Sequence, residues 1–333
     1  MRQFIDKINN HENLTSSEIE EAFVQIMSGN APKEEVAAFL LDLREKGVTV
    51  DEITGAAKVM RKFVIPVKSN HKIIFDTCGT GGDKQNTFNI STLVAFVVAG
   101  AGIAVAKHGN RSVSSKCGSA DILEALGVKI DLESAQMEDC LNKNGIVFLF
   151  AQKLHPAMKN VAAIRKELGV ETIFNILGPL TNPAKATHQI MGVYSRDYVE
   201  PLANVLKNLK LKRALVVHGA DGLDEITTTD KTFMSEFNGK EIISYSISPE
   251  ELNFSIAKRE DLTGGDLKKN LDIFERVLKG EKGPKRDIVL LNAAFSIYIA
   301  QKTKTINDAL VLAADSLDSG KALAKLEALK NFQ

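Results

Sequence analysis

Apolar residues in the first part of the chain recur three or four positions apart, as on one face of an α-helix. They include Val36, Phe39, Leu40 and Leu43. Signals that start helices occur at residues 16–20 and 31–35, and a third helix opens at residues 50–53. Residues 66–70 contain a proline and several polar residues and break the pattern. We therefore predict a small helical domain that ends at a linker.

From residue 72 onward, short apolar runs alternate with helical segments. The predicted strands are residues 73–76, 103–106, 147–150, 190–194 and 214–218. The predicted helices are residues 119–126, 132–143 and 198–209, followed by 287–300 and 306–331 at the end of the chain. This alternation is typical of a mostly parallel sheet with helices on both faces. The sequence thus predicts an α/β fold: a small N-terminal helical domain followed by a larger α/β domain.

The composition limits the classes of function. Lys and Arg together number 42, as do Asp and Glu. A balanced charge disfavours a nucleic-acid or membrane-surface protein, whose affinity depends on excess basic charge. The three cysteines form no close-spaced pair, and residues 93–105, the longest apolar stretch, are too short to span a membrane. We expect a cytoplasmic protein without nucleic-acid or membrane partners.

A glycine-rich loop follows the first predicted strand. Three glycines within residues 79–82 let the backbone turn tightly and approach a ligand. Residues 86–92 carry hydroxyl and amide side chains just before an apolar helix, where free backbone N–H groups favour an anion. The loop is neither a Walker sequence nor a dinucleotide fingerprint, since Lys84 occupies the last glycine's place. The pattern indicates a phosphate site, with an ordinary βα turn as the alternative.

Residues 107–119 follow the next predicted strand and hold three cations, four serines and two glycines. Such a loop suits a polyanion, because it combines charged donors with accessible backbone N–H groups. A solvated surface loop is the alternative. Its place at the carboxyl end of a strand favours binding, because ligands gather there in open α/β sheets.

Two further features are weaker. The adjacent carboxylates of Asp224 and Glu225 could hold Mg²⁺ together with substrate phosphates, although a solvated turn is the better explanation of such a pair taken alone. Arg165 lies on a helix that opens at residues 155–158 and could grip a carboxylate in bidentate fashion, although a solvated position is the simpler interpretation. Residues 174–183 are rich in Gly and Pro, and we assign them a structural role only.

In this order, the segments resemble the anthranilate phosphoribosyltransferase family along nearly the whole chain. The matching blocks are residues 79–83 with 87–92, 107–127, 155–159, 165–169, 174–183 and 218–227. The resemblance implies transfer of the phosphoribosyl group of phosphoribosyl pyrophosphate (PRPP) to the anthranilate amine, a Mg²⁺-dependent pentosyltransferase step of tryptophan biosynthesis. It also implies a homodimer and a hinge between a helical domain (1–66, joined by segments from about 155–185) and an α/β domain (70–333).

The resemblance also assigns site residues. It implies that PRPP contacts Gly79, Gly82, Asp83, Thr87, Asn89, Ile90, Ser91, Thr92, Lys107, His108, Gly109, Asn110, Arg111, Ser112, Val113, Ser114, Ser115 and Ser119. It places Mg²⁺ near Ser91, Asp224 and Glu225, and anthranilate at Gly79, Asn110 and Arg165. Lys107, Asn110 and Arg165 are the expected catalytic residues.

The chain departs from the family pattern at a few positions. Lys84 and Gln85 stand where small residues are usual, Gln152 replaces a common proline, and Glu171 replaces a common arginine. Cys78 and Cys117 also occupy places of small or aliphatic residues, so oxidation could affect activity. None of these changes removes an expected ligand.

The implied mechanism is mainly electrostatic. Mg²⁺, Lys107 and loop N–H groups should stabilise the departing pyrophosphate, while Arg165 binds the anthranilate carboxylate and Asn110 orients the ring or amine. No strong general base stands out; His108 is a candidate proton acceptor, with a loop-shaping role as the alternative.

Two other functions remain as alternatives. A pyrimidine nucleoside phosphorylase shares the architecture, but its glycine loop reads Lys-His-Ser-Thr-Gly-Gly, whereas residues 77–82 read Thr-Cys-Gly-Thr-Gly-Gly. A non-catalytic relative that binds nucleic acid is disfavoured by the zero net charge.

Overall fold

The computed structural model describes residues 1–111 and 117–332. Four helices open the chain: α1 (Arg2–Asn9), α2 (Ser16–Ser28), α3 (Lys33–Lys46) and α4 (Val50–Phe63). Helices α2 and α4 begin at threonines that form capping boxes with a glutamate three residues later. Each box satisfies backbone N–H groups that have no partner within the helix, which fixes where the helix starts.

A sheet of seven strands forms the centre of the larger part of the chain. The strands are β1 (Ile74–Asp76), β2 (Ala104–Gly109), β3 (Ile146–Phe150), β4 (His188–Gly192), β5 (Arg213–Gly219), β6 (Thr232–Phe237) and β7 (Ile242–Ile247). Their order is β3-β2-β1-β4-β5-β6-β7. Strands β1 to β5 pair in parallel, and β6 and β7 add an antiparallel edge. The carboxyl ends of β1, β2, β4 and β5 therefore meet at one edge of the sheet.

Eleven further helices lie among the described residues of the larger part. They are α5 (Ile90–Gly100), α6 (Ser119–Ala125), α7 (Ser134–Asn144), α8 (Ala151–Leu154), α9 (Lys159–Leu168), α10 (Phe174–Leu177), α11 (Val199–Asn208), α12 (Leu267–Leu278), α13 (Pro284–Ile299), α14 (Ile306–Asp318) and α15 (Lys321–Lys330). Short 3₁₀ helices occupy Pro156–Met158, Gly178–Thr181, Arg196–Tyr198, Pro249–Leu252 and Arg259–Leu262. Within the described residues, no helix combines the length and apolar character that crossing a membrane requires.

Two hydrophobic cores lie on opposite faces of the sheet. Successive residues of β5 show this, because Leu215 and Val217 belong to one core and Ala214 and Val216 to the other. The first core contains α5 and α13, whereas the second contains α11 and the four N-terminal helices. Helix α9 also joins the second core and contacts α2 and α3. The structure therefore packs the helix of Arg165 against the N-terminal helices.

The predicted fold class is confirmed, with a helical N-terminal part and a mostly parallel sheet. Strand β2 is longer than predicted, so Lys107, His108 and Gly109 lie in the strand and not in a loop. Strands β6 and β7 were not predicted, since polar residues interrupt both sequences and neither forms a continuous apolar run. The predicted helix over 306–331 is two helices, because Gly320 adopts a left-handed conformation between them.

Replacing Glu52 by alanine is expected to destabilise the N-terminal helices by about 3–5 kcal/mol. The Glu52 side chain is fully buried; its carboxylate accepts hydrogen bonds from the backbone N–H groups of Leu14 (2.9 Å) and Thr49 (2.8 Å) and pairs with Lys46 (3.0 Å). Its loss leaves these three donors without their acceptor in a buried setting. The urea midpoint of unfolding, followed by circular dichroism, measures the effect.

The matched control is Asp139→Ala, which removes an exposed carboxylate that pairs with Lys143 at 2.7 Å. This change should alter the free energy of unfolding by less than about 0.5 kcal/mol, because an exposed pair contributes little. Equal losses in the two variants would contradict the role given to Glu52.

Candidate active site

The glycine loop packs directly against the ends of two other strands. A Cβ atom on Gly79 would lie 2.9 Å from the carbonyl oxygen of Gly192 and 3.2 Å from Oδ2 of Asp224. The backbone N–H of Gly81 donates a hydrogen bond to Asp224 Oδ2 at 2.8 Å. Gly82 adopts a φ of 84°, which few other residues tolerate. Space at Gly79 and backbone conformation at Gly82 thus explain why glycines stand at these positions.

The N-terminus of α5 lies beside this loop. Asn89 occupies the position before the helix, but its side chain does not cap it; instead Asn89 Nδ2 donates to the carbonyl oxygen of Cys117 at 3.1 Å. Within the described residues, Asn89 Oδ1 is buried without a hydrogen-bond donor. The hydroxyl of Thr77 donates to the carbonyl oxygen of Ser91 at 2.9 Å and ties the helix to the glycine loop. The backbone N–H of Ile90 donates to the carbonyl oxygen of Phe88, and that of Ser91 bonds to the Glu225 carboxylate, so the start of α5 already holds one anionic group.

The remaining residues predicted in this segment flank the helix start. Thr87 forms an isolated antiparallel bridge with Thr263, while Ile90 and Thr92 are buried. Asp83 follows Gly82, and its Oδ1 accepts a hydrogen bond from the backbone N–H of Gln85 at 3.1 Å. The structure thus brings the predicted residues 79–92 together at the carboxyl edge of the sheet.

Lys107 and His108 reach the same edge from the end of β2. Lys107 is buried, and its ammonium group donates to the carbonyl oxygen of Thr77 at 3.2 Å, so it lies next to the glycine loop. The backbone N–H of His108 donates to Asp76 Oδ1 at 3.2 Å. A Cβ atom on Gly109 would lie 2.3 Å from Ser119 Oγ. Because glycine has no Cβ, Ser119 can pack close to the end of β2.

Asn110 and Arg111 begin the connection from β2 to α6. The carbonyl oxygen of Asn110 accepts hydrogen bonds from the Ser119 hydroxyl and the Ala120 N–H, both at 3.2 Å. The guanidinium group of Arg111 binds Glu124 through two hydrogen bonds of 2.7 and 3.0 Å. The predicted PRPP contacts Ser112, Val113, Ser114 and Ser115 lie outside the described residues.

Asp224 and Glu225 lie in a crowded cleft next to Asp83. Loss of hydration raises the pKa of Asp224 to about 7, and repulsion from Asp83 adds to the shift. Burial and repulsion from Asp224 raise the pKa of Glu225 well above its ordinary value, while Lys107 acts in the opposite direction. A side-chain hydrogen bond with Asp83 also favours the protonated form of Asp224. Three carboxyl groups thus share a region where Lys107 supplies compensating charge to Glu225.

Asp76 is a buried residue of this site that the sequence did not single out. Its Oδ2 accepts a hydrogen bond from Asn182 Nδ2 at 2.7 Å, and the same amide group donates to the carbonyl oxygen of Ala106 at 2.9 Å. Asn182 belongs to the Gly/Pro-rich segment, which therefore connects β1 and β2, in accord with the structural role assigned to it. The strand-end position of Asp76 was the available signal. Its carboxylate orients His108 and is not free for a ligand.

Arg165 lies on α9, on the side of the N-terminal helices. Its guanidinium group is half-buried, with Cζ 5.4 Å from the centre of the Phe174 ring. Burial lowers the pKa of Arg165, and no charged group among the described residues contributes to the shift. Within the described residues, it makes no hydrogen bond or ion pair with Gly79 or Asn110. Arg165 is therefore available to a carboxylate, but the structure does not bring it into contact with the other two predicted anthranilate ligands.

The environments of Cys78 and Cys117 disfavour the thiolate. Burial raises the pKa of Cys78 to about 12 and also raises that of the Cys117 thiol. A thiol oxidises readily only as the thiolate. Sensitivity of the activity to oxidation at these cysteines therefore stays a prediction without support from their surroundings.

Replacing Gly192 by alanine is expected to displace the acidic loop. A Cβ atom on Gly192 would lie 1.5 Å from the carbonyl oxygen of Asp224, so the backbone must move. We expect a loss of about 3 kcal/mol in stability and a larger loss of turnover than the remaining folded fraction explains. Gly265→Ala is the control, since the three atoms nearest to its Cβ, the first at 2.6 Å, all belong to the exposed side chain of Lys269, which can move aside. A Gly192→Ala enzyme with normal turnover would show that the close approach is unimportant.

Family models match almost the whole chain. The helical bundle domain of a glycosyl transferase family matches residues 2–64, and its a/b domain matches residues 71–323. Anthranilate phosphoribosyltransferase from Acetivibrio thermocellus is 51% identical over 332 residues, covering 100% of this chain and 96% of that protein. The chain belongs to the anthranilate phosphoribosyltransferase family.

Other members of the anthranilate phosphoribosyltransferase family agree in sequence and structure. The protein from Geotalea uraniireducens is 52% identical and covers 99% of this chain, which spans 98% of that protein. The crystal structure from Thermus thermophilus has a TM-score of 0.94 at 40% identity and covers 99% of this chain and 98% of its own. A structure from Saccharomyces cerevisiae, described as a complex with PRPP and Mg, has a TM-score of 0.91 at 28% identity, with coverage of 98% and 96%. The family assignment is confirmed, and these comparisons support neither the phosphorylase nor the nucleic-acid-binding alternative.

Proposed function

We propose that this chain transfers the phosphoribosyl group of PRPP to the amine of anthranilate, as in tryptophan biosynthesis. The products are N-(5-phosphoribosyl)anthranilate and pyrophosphate. The main support is the meeting of the glycine loop, the start of α5 and the acidic pair at one edge of the sheet, in a chain that belongs to this family. A glycine loop, a helix N-terminus, Lys107 and a cation site that lie next to one another form the arrangement that a pyrophosphate leaving group requires.

The PRPP phosphates would lie along the glycine loop and the first turn of α5. Backbone donors near Gly82 and the ammonium group of Lys107 are the groups suited to stabilise negative charge there. Arg111 is a weaker candidate, since Glu124 and Asp121 already hold its guanidinium group. For Arg111 to contact a phosphate, its guanidinium group must either bind the phosphate in addition to these carboxylates or release them.

The acidic cleft fits Mg²⁺. The carboxyl groups of Asp224 and Glu225 lie close to each other and to Asp83, and they have raised pKa values that a nearby cation would reverse. Among the described residues, only Asp76, Cys78 and His108 bring three potential ligand atoms within 4.8 Å of one another, so the three carboxylates are more widely spread. Such spacing suits a Mg²⁺ ion whose remaining coordination positions are filled by water and substrate phosphate. Asp224, Glu225 and Ser91 would hold it, and the ion would neutralise charge on the leaving pyrophosphate.

The chain's own residues then act on the second substrate. Arg165 has a free guanidinium fork for the anthranilate carboxylate, and Asn110 would orient the ring or amine. As the C1–O bond to pyrophosphate breaks, the amine nitrogen forms the new bond to C1 from the opposite face. Orientation of both substrates therefore supplies much of the rate enhancement. Because Arg165 lies on the side of the N-terminal helices, we infer that these parts must close towards the α/β domain for it to act.

The family resemblance also supports a homodimer and a cytoplasmic location, together with domain bounds of 1–66 and 70–333. The family models, which end at residue 64 and begin again at 71, support the boundary between the two domains. Sedimentation equilibrium of the purified chain tests the dimer; a monomer at micromolar concentration would contradict it.

The decisive experiment mixes the purified protein with anthranilate, PRPP and Mg²⁺ and follows the loss of anthranilate fluorescence. We expect loss only when PRPP and Mg²⁺ are both present, with pyrophosphate released in equal amount. No loss from folded protein that binds PRPP would overturn the proposal. Phosphorolysis of thymidine or uridine without PRPP would identify a nucleoside phosphorylase instead.

A further inference from the structure

A segment between β7 and α12 runs along the outside of the candidate site and contacts two of its loops. We call residues 257–264 the strap; it contains the 3₁₀ helix Arg259–Leu262. The strap contacts the acidic loop, residues 219–229, and also the phosphate segment, residues 83–89. The proposed function gives these strap residues no role.

Arg259 holds the acidic loop through a backbone atom. Its guanidinium Nη2 donates a hydrogen bond to the carbonyl oxygen of Asp221 at 2.8 Å. The backbone N–H of Ala257 donates to the carbonyl oxygen of Thr228 at 2.9 Å. Asp221 and Thr228 stand on either side of the acidic pair in the chain. The strap therefore holds the acidic loop both before and after the proposed metal ligands.

The side chain of Asp221 carries this contact to the acidic pair. Its Oδ1 accepts a hydrogen bond from the backbone N–H of Leu223 at 3.1 Å, and its Oδ2 accepts one from the hydroxyl of Thr227 at 2.6 Å. Asp221 is 7% exposed, so water competes little for these bonds. Leu223 immediately precedes the pair, and Thr227 follows it by two residues. A displacement of Asp221 would therefore displace the metal ligands.

The other end of the strap is fixed to the phosphate segment. Thr263 forms the antiparallel bridge with Thr87, and the backbone N–H of Gly264 donates to the carbonyl oxygen of Asn86 at 2.9 Å. A Cβ atom on Gly264 would lie 2.8 Å from the carbonyl oxygen of Thr87, so the two backbones pack closely. Between the ends, Leu262 is buried in the first core. The strap is thus a fixed spacer between the two loops.

The phosphate segment has a strained backbone that needs such support. Lys84 and Asn86 adopt φ values of 58° and 54°, a left-handed conformation that is unfavourable for residues other than glycine. Strain of this kind persists only where the surroundings hold the backbone in place. Between them, Gln85 reaches the acidic loop, where a Cβ atom on Gly222 would lie 2.8 Å from its Nε2. The two loops therefore lie close together, with the strap fixing both.

We infer that Arg259 is a positioning residue, which fixes the acidic loop relative to the phosphate segment so that one Mg²⁺ ion can contact both the acidic pair and a substrate phosphate. The inference rests on the proposed function, which places the ion at the acidic pair and the phosphates at the start of α5. Arg259 touches neither ligand in this role. Coordination by Mg²⁺ is short and close to octahedral, so an ion shared by two loops binds tightly only when their separation is right. The strap thereby couples the binding of Mg²⁺ to that of the phosphates.

Calorimetric titration of pyrophosphate into the protein, with and without Mg²⁺, measures this coupling without turnover. We expect Mg²⁺ to tighten pyrophosphate binding to the wild type. Arg259→Met keeps the length of the side chain without its donors and should reduce this gain about fivefold, the usual effect of one hydrogen bond. Its Kd for pyrophosphate without Mg²⁺ should stay within about twofold of the wild type, because the phosphate segment keeps its own donors.

Three further variants control this result. Arg259→Lys keeps a donor and should restore most of the gain, whereas Arg259→Ala should behave as Arg259→Met does and replaces it if that variant does not fold. Lys258→Met removes the same charge from the neighbouring exposed residue and should match the wild type. In steady-state kinetics, Arg259→Met should raise the Mg²⁺ concentration for half-maximal turnover about fivefold and leave the KM for anthranilate unchanged.

Two results would overturn the inference. A wild-type gain from Mg²⁺ in folded Arg259→Met or Arg259→Ala would show that the strap does not position the acidic loop. Equal weakening with and without Mg²⁺ would show that Arg259 attracts the anion by its charge instead. The wild-type titration separates the two levels, since the absence of any gain from Mg²⁺ refutes the metal assignment of the proposed function. A normal wild-type gain with either contrary result refutes only the role of Arg259.

Discussion

In the Arg165→Ala variant, we expect the KM for anthranilate to rise by roughly 30-fold to several hundred-fold, with a change of at most threefold in the KM for PRPP. Charge-assisted, bidentate hydrogen bonds to a carboxylate are among the strongest single contacts in a binding site. The guanidinium group of Arg165 is half-buried, and no charged partner acts on it in the structure, so its binding capacity is not used elsewhere. Steady-state kinetics with each substrate varied in turn measure both constants.

Lys166→Ala is the matched control, because it removes the same charge from the next residue of α9, which is exposed. Its KM values should stay within twofold of the wild type. Arg165→Lys should recover only part of the loss, since an ammonium group cannot form the two parallel hydrogen bonds. A normal anthranilate KM in Arg165→Ala would remove Arg165 from the binding site.

The double variant Asp224→Asn with Glu225→Gln should lose turnover by on the order of 100-fold or more while it becomes more stable without metal. The pKa of Asp224 is raised to about 7, so the folded state favours the protonated form more than the unfolded state does. Stability from this group is therefore present below its ordinary pKa of about 4 and is lost as pH rises through about 7. At pH 8, replacing the charges should raise the free energy of unfolding by about 2 kcal/mol, and at pH 5 by less.

The temperature of thermal unfolding, measured with and without Mg²⁺, shows how the two substitutions change stability and the response to the metal. The wild type should gain stability when Mg²⁺ is added together with pyrophosphate, whereas the double variant should gain little. Asp230→Asn is the control, since Asp230 is exposed near the end of the same loop, and its variant should keep the wild-type response. A double variant that is less stable at pH 8, or that keeps full activity at low Mg²⁺, would contradict the metal assignment.

Much of the fold could be predicted because its signals are local. Strand β3 and the middle of β5 are continuous apolar runs, since a strand buried on both faces has no polar side to interrupt it. The helices over 199–208 and 284–299 carry the spacing of buried helical faces. Strands β6 and β7 escaped prediction because β7 is largely exposed on the sheet edge and lacks such a run. Their pairing with β5 is decided by contacts distant in sequence.

The candidate site divides in the same way. The sequence by itself determined the glycine loop, the polar start of α5, the cationic end of β2 and the acidic pair, because each is a compact cluster of residue types suited to phosphate or metal. The order of these clusters along the chain also identified the family. What it could not determine is which clusters meet, since this depends on the strand order β2-β1-β4-β5, in which β1 joins strands that are far apart in the chain.

Only the tertiary structure decided the roles of residues whose function depends on a distant partner. Gly192 is an ordinary strand glycine until the Asp224 backbone packs against it, and Asp76 is one more strand-end carboxylate until Asn182 and His108 bind it. His155 and His108 likewise meet only in the folded chain, since 47 positions of sequence separate them. Local patterns encode which side chains a segment offers, whereas the burial, the shifted pKa values and the pairing of those side chains arise from neighbours that only the folded chain brings together.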